Sequence, residues 1–120
     1  MAQRVLIVDD ALFMRNLLRD LFSAAGWDVV GTAADGNEAL LKYRDLRPNL
    51  VTMDIVMPER SGLEALQDIL AIDPDAVVIM CSALGQESMV LEAIQNGAKD
   101  FIVKPFQKEQ VLEVVNRVLG

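Results

Sequence analysis

Leu50-Val51-Thr52-Met53-Asp54-Ile55-Val56-Met57-Pro58 is a short apolar run that meets a carboxylate and then a proline, the pattern of a buried strand delivering Asp54 to its C-terminal edge. An aspartate there is costly to bury and adds nothing to sheet packing, so it needs a cationic partner, a metal or a face open to solvent. Other segments stop in the same manner. Val5-Leu6-Ile7-Val8 runs into Asp9-Asp10, Phe101-Ile102-Val103 into Lys104-Pro105, and Ala76-Val77-Val78-Ile79-Met80-Cys81 into Ser82. In an open parallel sheet the C-terminal strand ends share one edge, where ligands bind, so Asp9, Asp10, Asp54, Ser82 and Lys104 are expected to converge.

Between these strands the hydrophobic period changes. From Ala11 onward Met14, Leu17, Leu18, Leu21, Phe22 and Ala25 fall on one helical stripe that Gly26 terminates,. Val29-Val30-Gly31-Thr32 reads as a second strand, and Asp35-Gly36-Asn37 as the turn into a helix carrying Ala39, Leu40, Tyr43 and Leu46, closed by Pro48,. Ser61-Gly62-Leu63-Glu64 has capping-box spacing, with Leu63, Leu66, Ile69 and Leu70 behind it,. Asp73-Pro74-Asp75 turns the chain into the strand before Ser82. A fourth helix is expected from Gln86 to Asn96, ending at Gly97, and a fifth through Val111, Leu112, Val115, Val118 and Leu119,. Strand and helix alternate about five times with short connections, which predicts an α/β fold: a doubly wound five-stranded parallel sheet with helices on both faces. Met89, Val90, Leu91, Ala93 and Ile94 exceed one buried stripe, so the fourth helix either exposes a docking face or is wedged between neighbours,.

The chain has 120 residues, of which 52% are hydrophobic, enough for one domain, residues 1–120, with a core that needs no disulfide or structural metal. The net charge of −7 disfavours nucleic acid and anionic membranes as partners,. No stretch reaches the length of a membrane span, and Met1 to Arg4 lack the regions of a signal peptide, so a cytoplasmic protein is expected. Cys81, inside an apolar run, is expected to pack as a small hydrophobe. The chain has no histidine, which excludes any mechanism built on an internal imidazole.

Asp9, Asp10 and Asp54 gathered in a small volume cannot all stay ionised without compensation. A divalent cation supplies it, and oxygen-only ligands favour a hard ion, Mg²⁺ before Ca²⁺. The same arrangement suits phosphoryl transfer, with Asp54 as nucleophile forming an aspartyl phosphate. Lys104 offers a mobile charge and Ser82 a hydroxyl for phosphoryl oxygens. Structural readings stand beside these. Asp9 and Asp10 also fit an N-cap and a first-turn acid of the following helix, the favoured reading for an isolated acid pair. Ser82 also fits a turn cap, and Lys104 a solvated lysine.

Val8-Asp9-Asp10, Met53-Asp54-Ile55-Val56-Met57-Pro58, Cys81-Ser82-Ala83 and Val103-Lys104-Pro105-Phe106, in that order and spacing, resemble the receiver domain of two-component response regulators, most nearly its single-domain chemotaxis members. The resemblance spans the whole chain. It implies strand order 2-1-3-4-5, which is taken from the family rather than from these residues. It further implies that Asp54 is the phosphoacceptor, that Asp10 and Asp54 bind Mg²⁺ with the Val56 backbone carbonyl, and that Asp9 holds the ion's water shell. Ser82 and Lys104 would bind the phosphoryl group, Ser82 and Phe101 would act as switch residues, and Lys104-Pro105 would be a cis peptide. Two positions depart from the best-known pattern. Val56 stands where some members carry Asn or another polar residue, a departure that bears on phosphoaspartate hydrolysis rather than on ion binding. Phe101 stands where others have Tyr and has no hydroxyl to offer a partner.

The function so implied is a phosphorylation switch, not an enzyme beyond slow self-phosphorylation and autodephosphorylation. A histidine kinase, CheA-like by resemblance, would donate to Asp54, and a face of the fourth helix, fifth strand and fifth helix would change its affinity for a flagellar motor switch protein. Val90, Ile94, Phe101, Val103 and Val114 are the residues expected on that face. A phosphatase for the phosphorylated regulator is a further expected partner, and the chain is expected to be a monomer. It ends soon after its last helix, so no DNA-binding output domain is expected, although a receiver domain cut from a longer regulator reads the same way. The rival from another class is a Mg²⁺-dependent phosphatase with an aspartate nucleophile, which would carry a second acid where Val56 stands. A flavodoxin-like nucleotide binder is disfavoured by the acidic turn after the first strand.

Overall fold

The computed structural model describes residues 3–120; Met1 and Ala2, part of the leader argument above, lie outside the described residues. The elements follow one another as β1 (Arg4–Val8), α1 (Leu12–Ala24), β2 (Asp28–Ala33), α2 (Gly36–Leu46), β3 (Leu50–Asp54), α3 (Gly62–Ile72), β4 (Val78–Ser82), α4 (Glu87–Gln95), β5 (Asp100–Val103) and α5 (Lys108–Leu119). All strand pairs are parallel and the sheet runs β2-β1-β3-β4-β5, the order the family resemblance implied. Burial tracks position in the sheet. Every residue of β3 and β4 is buried, as continuous apolar strands covered on both faces must be. The edge strands β2 and β5 are only partly covered.

Side-chain alternation splits the core into two layers. Leu6, Val51, Met53 and Met80 face Tyr43, Leu66, Ile69 and Val90, which places α2, α3 and α4 on one side. Val5, Ile7, Leu50 and Ile79 face Leu18, Phe22, Val111 and Val115, which places α1 and α5 on the other. Ser61 closes the expected capping box with Glu64. Next to it Gly62 is required by contact, because a Cβ there would overlap the Asp54 carbonyl oxygen. That approach seats the start of α3 directly under the acid-bearing tip of β3.

Several expectations are corrected. Leu17 is exposed, as is Ala25, so the inward face of α1 is narrower than the stripe suggested and centres on Leu18, Leu21 and Phe22. β4 begins at Val78 rather than Ala76, because the Ala76 N–H is taken by the Asp73 carbonyl in the preceding turn. Leu119, at the end of α5, is 36% exposed rather than buried. Ala11, with no side-chain cap, occupies the N-cap of α1, whose first turn holds no acid. The helix-capping reading of Asp9 and Asp10 therefore fails. Among the described residues no helix is long and apolar enough to cross a membrane.

Candidate functional site

The chain leaves β1 for an outer strand on one side and β3 for β4 on the other, so a crevice opens between the C-terminal tips of β1 and β3,. Asp9 and Asp10 follow β1 directly and Asp54 is the last residue of β3. One carboxylate oxygen from each of these three lies within 4.8 Å of the others. Asp9 is 1% exposed and fully engaged. Its Oδ1 accepts the Ala11 N–H at 2.9 Å, its Oδ2 accepts from Lys104 Nζ at 2.9 Å, and its carbonyl accepts from the Arg15 guanidinium at 2.7 Å. Lys104 Nζ also lies 3.3 Å from Asp54 Oδ1, bridging two acids from the far side of the sheet. The Lys104–Pro105 bond that follows is cis.

Burial, and then the charge of Asp9, push Asp54 up to about 7, with Lys104 only partly opposing them,. Burial works against the Lys104 ammonium, but its hydrogen bond to Asp9 and the charges of both acids outweigh that and hold it above the ordinary lysine value. Three carboxylates against one ammonium leave the cluster short of positive charge. The donor set is oxygen only, since the chain has no histidine and burial pushes the neighbouring Cys81 thiol up to about 12. A hard divalent cation fits this cluster.

Of the remaining expected residues, Ser82 and Val56 lie along the same edge and the others lie on β5 or flank it. Asp54 pairs in register with Cys81, so Ser82 stands one residue beyond it on the neighbouring tip, buried, its carbonyl accepting the Lys104 N–H at 2.7 Å. Val56 lies half exposed in the loop after β3. Phe101 is 41% exposed and turned outward. It lines a groove of about 250 Å³ with Ser82, Leu84, Val90, Ile94 and Val103, and a second of about 320 Å³, sharing Phe101 and Val103, is lined by Val114. Val90, Ile94, Phe101, Val103 and Val114, the residues expected on the partner face, thus line two adjoining grooves that share Phe101 and Val103. α4 is not wedged between neighbours: Met89, Leu91 and Ile94 are exposed, and Val90 and Ala93 are buried.

Two features at this edge escaped the sequence reading. Arg15, off the apolar stripe of α1, fastens the loop that carries the acid pair through its bond to the Asp9 carbonyl. Leu12 and Phe13 stand exposed beside the acids; the unbroken run Ala11-Leu12-Phe13-Met14, apolar on every side of a helix start, is the signal that could have found them.

A doubly wound sheet with paired acids at its switch point and a lysine opposite defines a class. The chain belongs to the response regulator receiver domain family, which it matches over residues 5–116. Within that family it is 57% identical over 118 residues to the chemotaxis protein CheY of Thermotoga maritima, covering 98% of each. It is 56% identical over 120 residues, the whole of both chains, to CheY of Bacillus subtilis. It superposes with a TM-score of 0.94 and 42% identity, over 98% of this chain and 90% of the other, on a chain in the crystal structure of a CheX–CheY–BeF₃–Mg²⁺ complex from Borrelia burgdorferi. Membership places the protein among phosphorylation-dependent signalling switches of chemotaxis rather than among enzymes of the usual kind.

Proposed function

We propose that Asp54 is the phosphoacceptor of this switch and that the strip around Phe101 is its output. The observation that carries the reading is the convergence of Asp9, Asp10 and Asp54 within 4.8 Å, with Lys104 paired to two of them. Asp9, Asp10, Asp54 and the Val56 carbonyl would hold Mg²⁺, which when bound neutralises the acids and polarises phosphoryl oxygens. A carboxylate oxygen of Asp54 attacks the phosphorus of a phosphohistidine on a CheA-like kinase; the phosphorus–nitrogen bond breaks, the imidazole leaves, and an acyl phosphate forms. Lys104 and the Ser82 hydroxyl take phosphoryl oxygens. Ser82 sits at once on the acid edge and on the lip of the groove, so its movement alters the surface that Phe101 shapes. The flagellar motor switch and a phosphatase for the phosphorylated chain are the partners this reading names, with the chain acting as a cytoplasmic monomer. Val56 offers no acid to turn the site into a phosphatase.

Beryllofluoride with Mg²⁺ tests this. Amide resonances around Asp54, Ser82 and Phe101 are expected to move together in the parent chain and to stay still in Asp54→Asn. A response that persists in Asp54→Asn removes the nucleophile, and catalytic turnover of a phosphate ester would transfer the chain to the rival class.

A further inference from the structure

Between β4 and α4 the chain is loosely held. Gly85 sits at φ 91° with open space where a Cβ would be, and Leu84 is 79% exposed. Gln86 precedes the helix at φ −108° and ψ 22°, and its side chain caps no helical N–H. Instead its Oε1 accepts the Ala83 N–H at 2.7 Å, while its carbonyl accepts the Val90 N–H at 3.0 Å and so opens α4. The other side-chain bond in the segment, from the Gly85 N–H to Glu87 Oε1, is long at 3.4 Å. A single side chain thus ties the first amide beyond Ser82 to the first turn of α4. Ser82, Ala83 and Leu84 are also the lip of the apolar groove.

We propose that Gln86 is a positioning residue: its bond to Ala83 holds the Ser82–Ala83 backbone in the resting arrangement, and release of that bond is the step that couples the acid edge to the groove. The inference rests on the phosphoacceptor reading above. If Ser82 shifts toward a group on Asp54, Ala83 moves with it, because the two share a peptide unit. The Gln86 side chain leaves the helix and reaches back over the loop, so the bond can break without unwinding α4. One neutral hydrogen bond biases such an equilibrium by roughly two- to tenfold.

Gln86→Ala removes the acceptor, and Gln86→Glu keeps it. Two quantities are read in each: hydrogen exchange of the Ala83 amide, and the beryllofluoride concentration that half-saturates the chain with Mg²⁺ present. Gln86→Ala is expected to expose the Ala83 amide and lower the half-saturating concentration roughly two- to tenfold, while Gln86→Glu, whose carboxylate still accepts, keeps the Ala83 amide protected and does not lower that concentration. Either quantity unchanged in Gln86→Ala overturns the proposal, as does Gln86→Glu behaving like Gln86→Ala. A parent chain that ignores beryllofluoride overturns the coupling through failure of the phosphoacceptor reading, and is recognised because Ala83 exchange still separates Gln86→Ala from the parent.

Discussion

The acid edge and the apolar groove meet at Ser82 and are built on opposite terms. At the edge the central acid is fixed from several directions: Asp9 accepts from Ala11 and Lys104 through its two carboxylate oxygens, and its backbone is held by Arg15 and by the Ala33 carbonyl. At the groove the side chains lie on an edge strand and on a nine-residue helix that buries only Val90 and Ala93. The contrast teaches where each task belongs. Charge must be placed accurately to act on a phosphoryl group, so it stands on central strand tips. A surface that changes on signalling needs freedom, and it stands where few neighbours oppose a shift.

The comparison breaks most severely at Lys104, which pairs with both Asp9 and Asp54. Lys104→Met leaves Asp9 buried without its ion pair and is expected to cost about 3 kcal/mol near pH 8 in the absence of divalent ions. Urea unfolding measures it. A loss no larger than that of a groove substitution would mean that the edge is not electrostatically tight.

Asp54 sharpens the comparison with the opposite sign. Its folded-state value of about 7 lies above its ordinary 3.8, so the folded chain keeps a proton that the unfolded chain releases between those values,. The ionised carboxylate therefore works against folding, fully above pH 7 and not at all below about pH 4. Asp54→Asn mimics the protonated form and is expected to stabilise the ion-free protein by about 2 kcal/mol near pH 8, less than the full shift implies because Lys104 loses a partner. The gain should shrink steadily as pH falls toward 4. Thermal unfolding across that range reads it, and an equal gain at both ends would show that Asp54 carries no burial penalty.

What was legible in the sequence divides along the same line. The acid edge could be read because a buried parallel strand is apolar on both faces, so the first polar residue marks its tip, and Val8-Asp9, Asp54, Ser82 and Val103-Lys104 all obey that rule. Strand order was legible only through family likeness, since nothing local to Val5 or Leu50 says which neighbour each will have. The inward face of α1 was read too wide because hydrophobicity does not report a helix's rotation about its axis; Leu17 and Leu18 are the same residue type, and packing alone buries one. Arg15 and Gln86 were missed for a related reason. Each acts by reaching back to a backbone group, and long polar side chains that do so are indistinguishable in sequence from solvated ones.

Beneath the edge lies a third kind of site, neither charged nor free. Thr52, on β3 one side-chain repeat below Asp54, is fully buried and its Oγ1 has no hydrogen-bond partner among the described residues. Thr52→Val fills the same space without the orphaned hydroxyl and is expected to raise stability by about 1 kcal/mol while leaving the beryllofluoride response intact. Lost stability would reveal a partner for that hydroxyl, and a lost response would extend the switch into the sheet interior.

The smallest effect on stability belongs to the groove, and there stability and function should separate. Leu91, on the groove wall, is 60% exposed, so replacing it with serine removes little buried apolar area and is expected to change unfolding free energy by no more than about 0.5 kcal/mol. If the groove is the output surface, Leu91→Ser weakens partner binding while phosphoryl uptake at Asp54 stays at the parent rate, because Leu91 carries no charge or donor that the acid cluster uses. Side-by-side measurement of acyl phosphate formation and of affinity for the motor switch decides the matter. Binding left at parent strength would move the output elsewhere, and the exposed Leu12 and Phe13 beside the acids would be the next surface to vary.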